Sequence, residues 1–195
     1  MRLVLATANP NKATEIAEVL GAEFELVARP SDVPEVVEDA DTFEGNARLK
    51  SSALVRATGQ PALADDSGLE VDALDGAPGV HSARYAGDHA TGADNVARLL
   101  NALSGVPSSR RTARFRCVLV VSWPDGREVV ATGTVEGHVV DAPRGVSGFG
   151  YDPVFVPDDP SAAGRTFAEM SATEKHAISH RGRALRQLAA QLLLL

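Results

Sequence analysis

Met1-Arg2-Leu3-Val4-Leu5-Ala6-Thr7-Ala8-Asn9-Pro10-Asn11-Lys12 opens the chain with an apolar run, a polar turn and a lysine. Residues 3–6 read as a buried strand and residues 7–12 as a loop; a helix follows with Ile16, Val19 and Leu20 on one face, and Gly21 closes it. A strand passed through a loop to a helix is the unit of α/β architecture, so this stretch sets the class. The loop also brings backbone N–H groups and the positive end of a helix dipole to one place, and Lys12 adds a point charge. That combination suits phosphate. The glycines of a Walker loop and of the dinucleotide fingerprint are both absent, and a strand, loop and helix with one lysine is more often ordinary surface.

Outward from this unit, apolar β-branched runs keep alternating with segments of helical period. Residues 24–27 read as a second strand. Thr42 caps a long helix with Phe43, Ala47, Leu54 and Ala57 at core spacing, and Gly59-Gln60-Pro61 stops it. Residues 61–64 form a short buried strand that ends in Asp65-Asp66-Ser67-Gly68. This places two carboxylates at the carboxyl end of a strand, the edge where open α/β sheets bind ligands. Thr91 opens a helix carrying Val96, Leu99, Leu100 and Leu103. Residues 113–123 and 128–140 are long strands around Pro124-Asp125-Gly126, the clearest antiparallel hairpin. A glycine-rich loop, residues 145–153, leads through Val154-Phe155-Val156 to two helices, the second from about Ser179 onward. The expected fold is a mixed α/β domain over residues 1–195: a central mixed sheet flanked by helices, with an extended hairpin.

Composition narrows the function. The 195 residues are 44% hydrophobic, ample for a core in one cooperative unit. Acidic residues outnumber basic ones 26 to 19, a net charge of -7, which repels a nucleic-acid backbone. Any polyanion bound must be small and locally held. The single cysteine, Cys117, lies in an apolar run and reads as a buried inert thiol. No run reaches membrane-spanning length and the N-terminal apolar stretch is too short for a signal core, so a cytoplasmic location is expected. Leu192-Leu193-Leu194-Leu195 reads as the end of a packed helix.

Three further groups carry chemistry. Asp65, Asp66 and Glu38 are hard oxygen ligands of the kind magnesium takes, one or two carboxylates beside substrate phosphates; Asp-Asp-Ser-Gly also makes a plain turn. In Ser147-Gly148-Phe149-Gly150-Tyr151-Asp152-Pro153 the rings sit among glycines, so Phe149 either stacks on a base or packs as a core ring beside a tight turn. Ser171-Ala172-Thr173-Glu174 has the form of a capping box, and Lys175, His176, His180 and Arg181 gather donors at two helix starts, a pattern that also fits solvated surface. The five histidines lack zinc spacing, and no nucleophile triad is visible.

Five motifs taken in order resemble the non-canonical purine triphosphate pyrophosphatase family. They are Thr7-Ala8-Asn9-Pro10-Asn11-Lys12, Thr42-Phe43-Glu44-Gly45-Asn46-Ala47, Ala64-Asp65-Asp66-Ser67-Gly68-Leu69, Phe149-Gly150-Tyr151-Asp152-Pro153 and Ile178-Ser179-His180-Arg181-Gly182. Gly76-Ala77-Pro78-Gly79-Val80 and Ser82-Ala83-Arg84-Tyr85 extend the likeness, which covers essentially the whole chain. The resemblance implies an elongated mixed sheet in two lobes with the active site in the cleft between them, and a homodimer. It implies hydrolysis of inosine, deoxyinosine and xanthosine triphosphates to monophosphate and pyrophosphate with Mg2+, which clears the nucleotide pool. Residues 7–12 match the segment that holds substrate phosphates. Asp66 matches the proton acceptor and metal ligand, Ser67 a substrate contact, and Glu38, crowded by Glu35, Asp39 and Asp41, a second metal carboxylate. Phe149, Gly150, Tyr151, Asp152, Lys175, His180 and Arg181 match base- and phosphate-binding positions. The rivals are a septum-inhibitor-type pyrophosphatase acting on other modified nucleotides, which these last motifs disfavour, and a nucleotide sensor, which has no need of adjacent carboxylates beside a phosphate loop.

Overall fold

The computed structural model describes residues 1–34 and 36–195; Glu35 lies outside the described residues. In chain order the strands are β1 (Arg2–Leu5), β2 (Glu25–Val27), β3 (Ala62–Val71), β4 (Thr112–Ser122), β5 (Glu128–Val139) and β6 (Phe155–Pro157). The helices are α1 (Pro10–Leu20), α2 (Phe43–Thr58), α3 (Gly92–Ala102), α4 (Ala172–Ile178) and α5 (His180–Leu192). One six-stranded sheet runs in the order β2-β1-β3-β4-β5-β6. β1 pairs in parallel with β2 (Leu3 opposite Leu26) and with β3 (Val4 opposite Ala62). β5 pairs antiparallel with β6, His138 opposite Val156. The sheet is therefore mixed and helix-flanked, the expected α/β class.

Local chemistry explains most boundaries. Asn9 caps α1 and Pro10 occupies its first turn, so Pro10, Asn11 and Lys12 are helical where the sequence reading has a loop. Thr42 caps α2 by accepting the Gly45 N–H at 3.0 Å. Gly45 can carry no side chain there, because a Cβ would lie 2.7 Å from that of Ala40. Gly59 ends the helix in the left-handed region. Thr91 and Ser171 form the capping boxes of α3 and α4. The strand at residues 61–64 proves much longer. β3 continues straight through Asp65-Asp66-Ser67-Gly68 to Val71, so the carboxylates sit mid-strand rather than at its end. β1 pairs with this strand at Ala62 and Leu63; beyond them the burial of β3 and its place beside β4 override the turn preference of Asp, Ser and Gly. α5 stops at Leu192, which is buried, and the last three leucines are exposed.

The chain divides into two compact units, the first comprising Met1–Asp66, Cys117–Gly133 and Arg181–Leu195, the second Ser67–Arg116 and Thr134–His180. The first has a core of Leu3, Ile16, Leu20, Leu63, Leu119, Leu185 and Leu188. Cys117 belongs to it, and burial pushes its thiol up to about 12, as an inert core residue requires. The second packs Leu69, Leu99, Phe115, Phe155 and Phe167, with the Phe115 and Phe155 rings edge-on at 4.7 Å. Each such side chain contributes about 1.5–3 kcal/mol on burial. No helix among the described residues is long and apolar enough to cross a membrane.

Gly137 of β5 is a close backbone approach in the second unit: a Cβ there would lie 2.2 Å from the Val156 carbonyl oxygen and 2.6 Å from the Phe155 ring. Neither backbone nor core ring can yield cheaply. Gly137→Ala should lower stability by about 1–3 kcal/mol, the usual cost of overpacking. Denaturant unfolding measures it, and an unchanged midpoint would refute the close approach.

Candidate active site

The loop between β1 and α1 is closed by its own side chains. Thr7 Oγ1 accepts from the Asn9 N–H at 3.1 Å, and Asn9 Oδ1 accepts from the N–H groups of Asn11 at 2.9 Å and Lys12 at 3.3 Å. Pro10 has no N–H. Of the backbone donors expected across residues 7–12, those of Asn9, Asn11 and Lys12 are thus already occupied, and the attraction for an anion rests chiefly on the helix dipole and the Lys12 ammonium.

Successive residues of a strand point to opposite faces, and that separates Asp65 from Asp66. Asp65 meets groups from α1 and α5: Lys12 Nζ lies 2.9 Å and Arg181 Nη2 3.5 Å from its Oδ2. Arg181 also pairs with Glu15 through Nη1. Burial alone would raise the Asp65 carboxyl, but Lys12 and then Arg181 outweigh it and hold it far below the ordinary carboxylate range. Asp66 meets α2 instead. Asn46 Nδ2 donates to its Oδ2 at 3.2 Å, and Lys50 Nζ lies 3.4 Å from its Oδ1. The same ammonium is 3.1 Å from Glu38 Oε2. Asn46 also accepts from the Ala40 N–H at 3.0 Å, tying the segment that carries Glu38 to β3. Burial raises the Asp66 carboxyl first of all, and the nearby Glu38 charge adds to it; the lowering by Lys50 and Lys12 does not offset them.

Glu38 and Asp66, far apart in sequence, thus share one cationic group. Two carboxylates close enough to share an ammonium can share a divalent ion, and magnesium needs no more protein ligands than that when phosphate oxygens complete its shell. Among the described residues no cluster of three or more His, Cys, Asp or Glu forms a metal cage. The sequence reading named Glu38 and Asp66 but missed Asn46, Lys50 and Glu15. Signals were present: Asn46 lies within the motif at residues 42–47, and Lys50 follows it by four residues on α2.

In the second unit, Ser67 is the next residue of β3, and the aromatic loop is pinned by Asp152. Asp152 Oδ2 accepts from the Phe149 N–H at 2.9 Å and lies 2.6 Å from Lys175 Nζ, both side chains buried. The ammonium stands 4.9 Å from the Phe149 ring centroid, a cation–π contact. Gly148, in the left-handed region, leaves no room for a Cβ, which would fall 2.2 Å from Asp152 Oδ2. Phe149 and Gly150 border an apolar hollow of about 510 Å³ whose far wall is Ala93, Val96 and Ala97 of α3. Tyr151 is a core ring whose hydroxyl donates to the Ser82 carbonyl at 2.9 Å; burial and then Tyr85 push its ionisation up. The His180 imidazole is buried and stacks on Phe115, centroids 4.7 Å apart and 9° from parallel.

The sequence model described as the Ham1 family matches residues 3–191. A dITP/XTP pyrophosphatase of Geobacter sulfurreducens is 50% identical over 194 residues, covering 98% of this chain and 96% of that protein. Among solved structures, a HAM1 protein from Coxiella burnetii superposes with a TM-score of 0.90 at 42% identity, covering 100% of both chains. The Staphylococcus aureus Ham1 protein gives 0.87 at 39% identity over 98% of each. With sequence and fold matched along nearly their whole length, the chain belongs to the Ham1 family.

Proposed function

We propose that this protein hydrolyses non-standard purine nucleoside triphosphates, ITP, dITP and XTP, to the monophosphate and pyrophosphate, and so keeps such bases out of DNA and RNA. The observation that carries the reading is the meeting of Glu38, Asp66 and Lys50 in one unit with the Lys12 loop. The relatives named dITP/XTP pyrophosphatase, about half identical over nearly full length, supply the substrate class. Residues 1–195 act as a single domain in this reading, supported by the chain passing between its two units inside β3, β4, β5 and the start of α5 rather than through linkers. A cytoplasmic location and a homodimer belong to the same reading; sedimentation tests the second.

Cleavage of a nucleotide phosphoanhydride is generally metal-assisted. Glu38 and Asp66 would hold Mg2+, whose charge neutralises the phosphate oxygens. Lys12, with Thr7, Ala8, Asn9, Pro10 and Asn11 shaping the turn around it, binds the phosphate chain. Asp66 takes the proton of a water whose oxygen bonds to the α-phosphorus as the bond to the bridging oxygen breaks and pyrophosphate leaves. Lys50 keeps the two carboxylates together before substrate arrives. Phe149 offers a stacking surface for the base, while Gly150, Tyr151 and Asp152 shape the loop, Lys175 holds Asp152, and Ser67 adds a further substrate contact. Donors from His180 and Arg181 favour a 6-keto oxygen over a 6-amino group, because the wrong base leaves them unpaired.

Pyrophosphate release from ITP, dITP, XTP, GTP and ATP, with and without chelator, tests this directly. We expect ITP, dITP and XTP to lead and chelation to abolish turnover until magnesium is restored; equal rates on ATP, or full turnover after chelation, would refute the reading. Asp66→Asn should stay folded and still bind substrate while kcat falls at least about 100-fold, the scale of losing a positioned base or metal ligand. A near-normal rate would mean the wrong carboxylate has been chosen.

A second reading of Arg181 is favoured by its pairing with Glu15 and Asp65, which makes it a positioning group rather than a base reader. Arg181→Ala separates the two. A base reader's loss shrinks the ITP-over-ATP ratio of kcat/KM by about 1–3 kcal/mol, whereas a positioning group's loss lowers both and leaves the ratio unchanged.

A further inference from the structure

The hydrolysis has no task for Asp65. It leaves β3 on the face opposite Asp66, toward Lys12 and Arg181. Yet it is 2% exposed and stands between two cations, an arrangement that is costly to build unless the partners are held for a purpose. Four groups of alternating sign connect through it. Glu15 pairs with Arg181, Arg181 reaches Asp65 Oδ2 at 3.5 Å, and the same oxygen lies 2.9 Å from Lys12 Nζ. Lys12 and Glu15 are three apart on one face of α1, so the chain of charges closes on the helix where it began. Lys12 is the outer member, its side chain 18% exposed against 3% for Arg181.

A lysine ammonium on a four-carbon stem has many rotamers, and fixing one before substrate arrives spares that ordering cost at binding. We propose that Asp65 is a positioning residue for the triphosphate: it fixes the Lys12 ammonium at the β1–α1 turn, and Arg181, itself fixed by Glu15, fixes Asp65. The inference rests on the reading of Lys12 as a phosphate ligand. Asp65 then acts through Lys12 and touches no substrate.

Inhibition by inorganic pyrophosphate in the presence of magnesium is the deciding readout, because pyrophosphate carries no base and any effect of Arg181 on the base drops out. The constant is measured for the wild type, Lys12→Ala, Asp65→Asn and the double variant. We expect Asp65→Asn to weaken pyrophosphate about tenfold with a smaller change in kcat for ITP, and to add less than about twofold in the Lys12→Ala background, the signature of a coupled pair. The same loss in both backgrounds would make Asp65 merely structural, and tighter pyrophosphate binding would make it a brake on Lys12; either overturns the proposal. Should Asp65→Asn not fold, the double variant, which removes the buried pair together, is compared with Lys12→Ala alone: equal inhibition supports the proposal and weaker inhibition by pyrophosphate in the double variant overturns it. If Lys12→Ala itself leaves pyrophosphate inhibition unchanged, the phosphate reading of that loop fails first and this inference falls with it.

Discussion

Two adjacent carboxylates buried in one central strand constrain the first unit of this protein more than any other feature. Moving a carboxylate out of water costs several kcal/mol even after relaxation, so each needs its own compensation. The pleat of β3 gives each its own direct partners, because Asp65 and Asp66 leave the strand in opposite directions, although Lys12 and Lys50 each also act on the other carboxyl at longer range. Helices on both sides of the strand must therefore carry the compensating groups. α1 and α5 bring Lys12 and Arg181 to Asp65, and α2 brings Asn46 and Lys50 to Asp66. The two environments push the carboxyls apart: one is held far below its usual range by two cations, the other raised by burial and a neighbouring glutamate. Groups with diverging ionisation in one place are the pattern by which a site separates an ionised fixture from a proton acceptor.

The second unit applies the same economy with a single pair. One oxygen of Asp152 takes both the Phe149 N–H and the Lys175 ammonium, and Lys175 also lies over the Phe149 ring. The loop is thereby fixed by a buried charge pair rather than by its own sequence, which with glycines at 145, 148 and 150 has little stiffness. Gly148 shows how tightly it closes, since its missing Cβ is what lets the backbone rest on the Asp152 carboxylate. A flat ring held this way presents a surface suited to stacking, tolerant of base identity.

Helix boundaries were the most legible part of the chain. Thr42, Gly59, Thr91 and Ser171 cap or close helices as their residue types require, because capping depends on atoms within a few residues. Asn9 was legible in principle too, but Pro10 was read as loop although it sits comfortably in a first turn. The candidate site was half legible. Glu38, Asp66, Lys12 and the Phe149 loop could be named from ordered motifs. Asn46 lay in a quoted motif without a role, and Lys50 looks like an ordinary helix residue, until the fold brings both against β3.

By itself the sequence determined the α/β class, the caps, the hairpin, the inert cysteine and the residue types that carry the chemistry, since each follows from period, turn chemistry or composition over short distances. Only the tertiary structure decided that Asp-Asp-Ser-Gly is strand rather than turn, because burial inside the sheet beside β4 outweighs a local preference of about 1 kcal/mol. That decision, in turn, sent Asp65 to Lys12 and Arg181 and Asp66 to Lys50 and Glu38. Charge partners 50 or more residues apart in the chain, such as Lys12 and Asp65, leave no local signature. Their identity is fixed by which helix each face of the sheet buries.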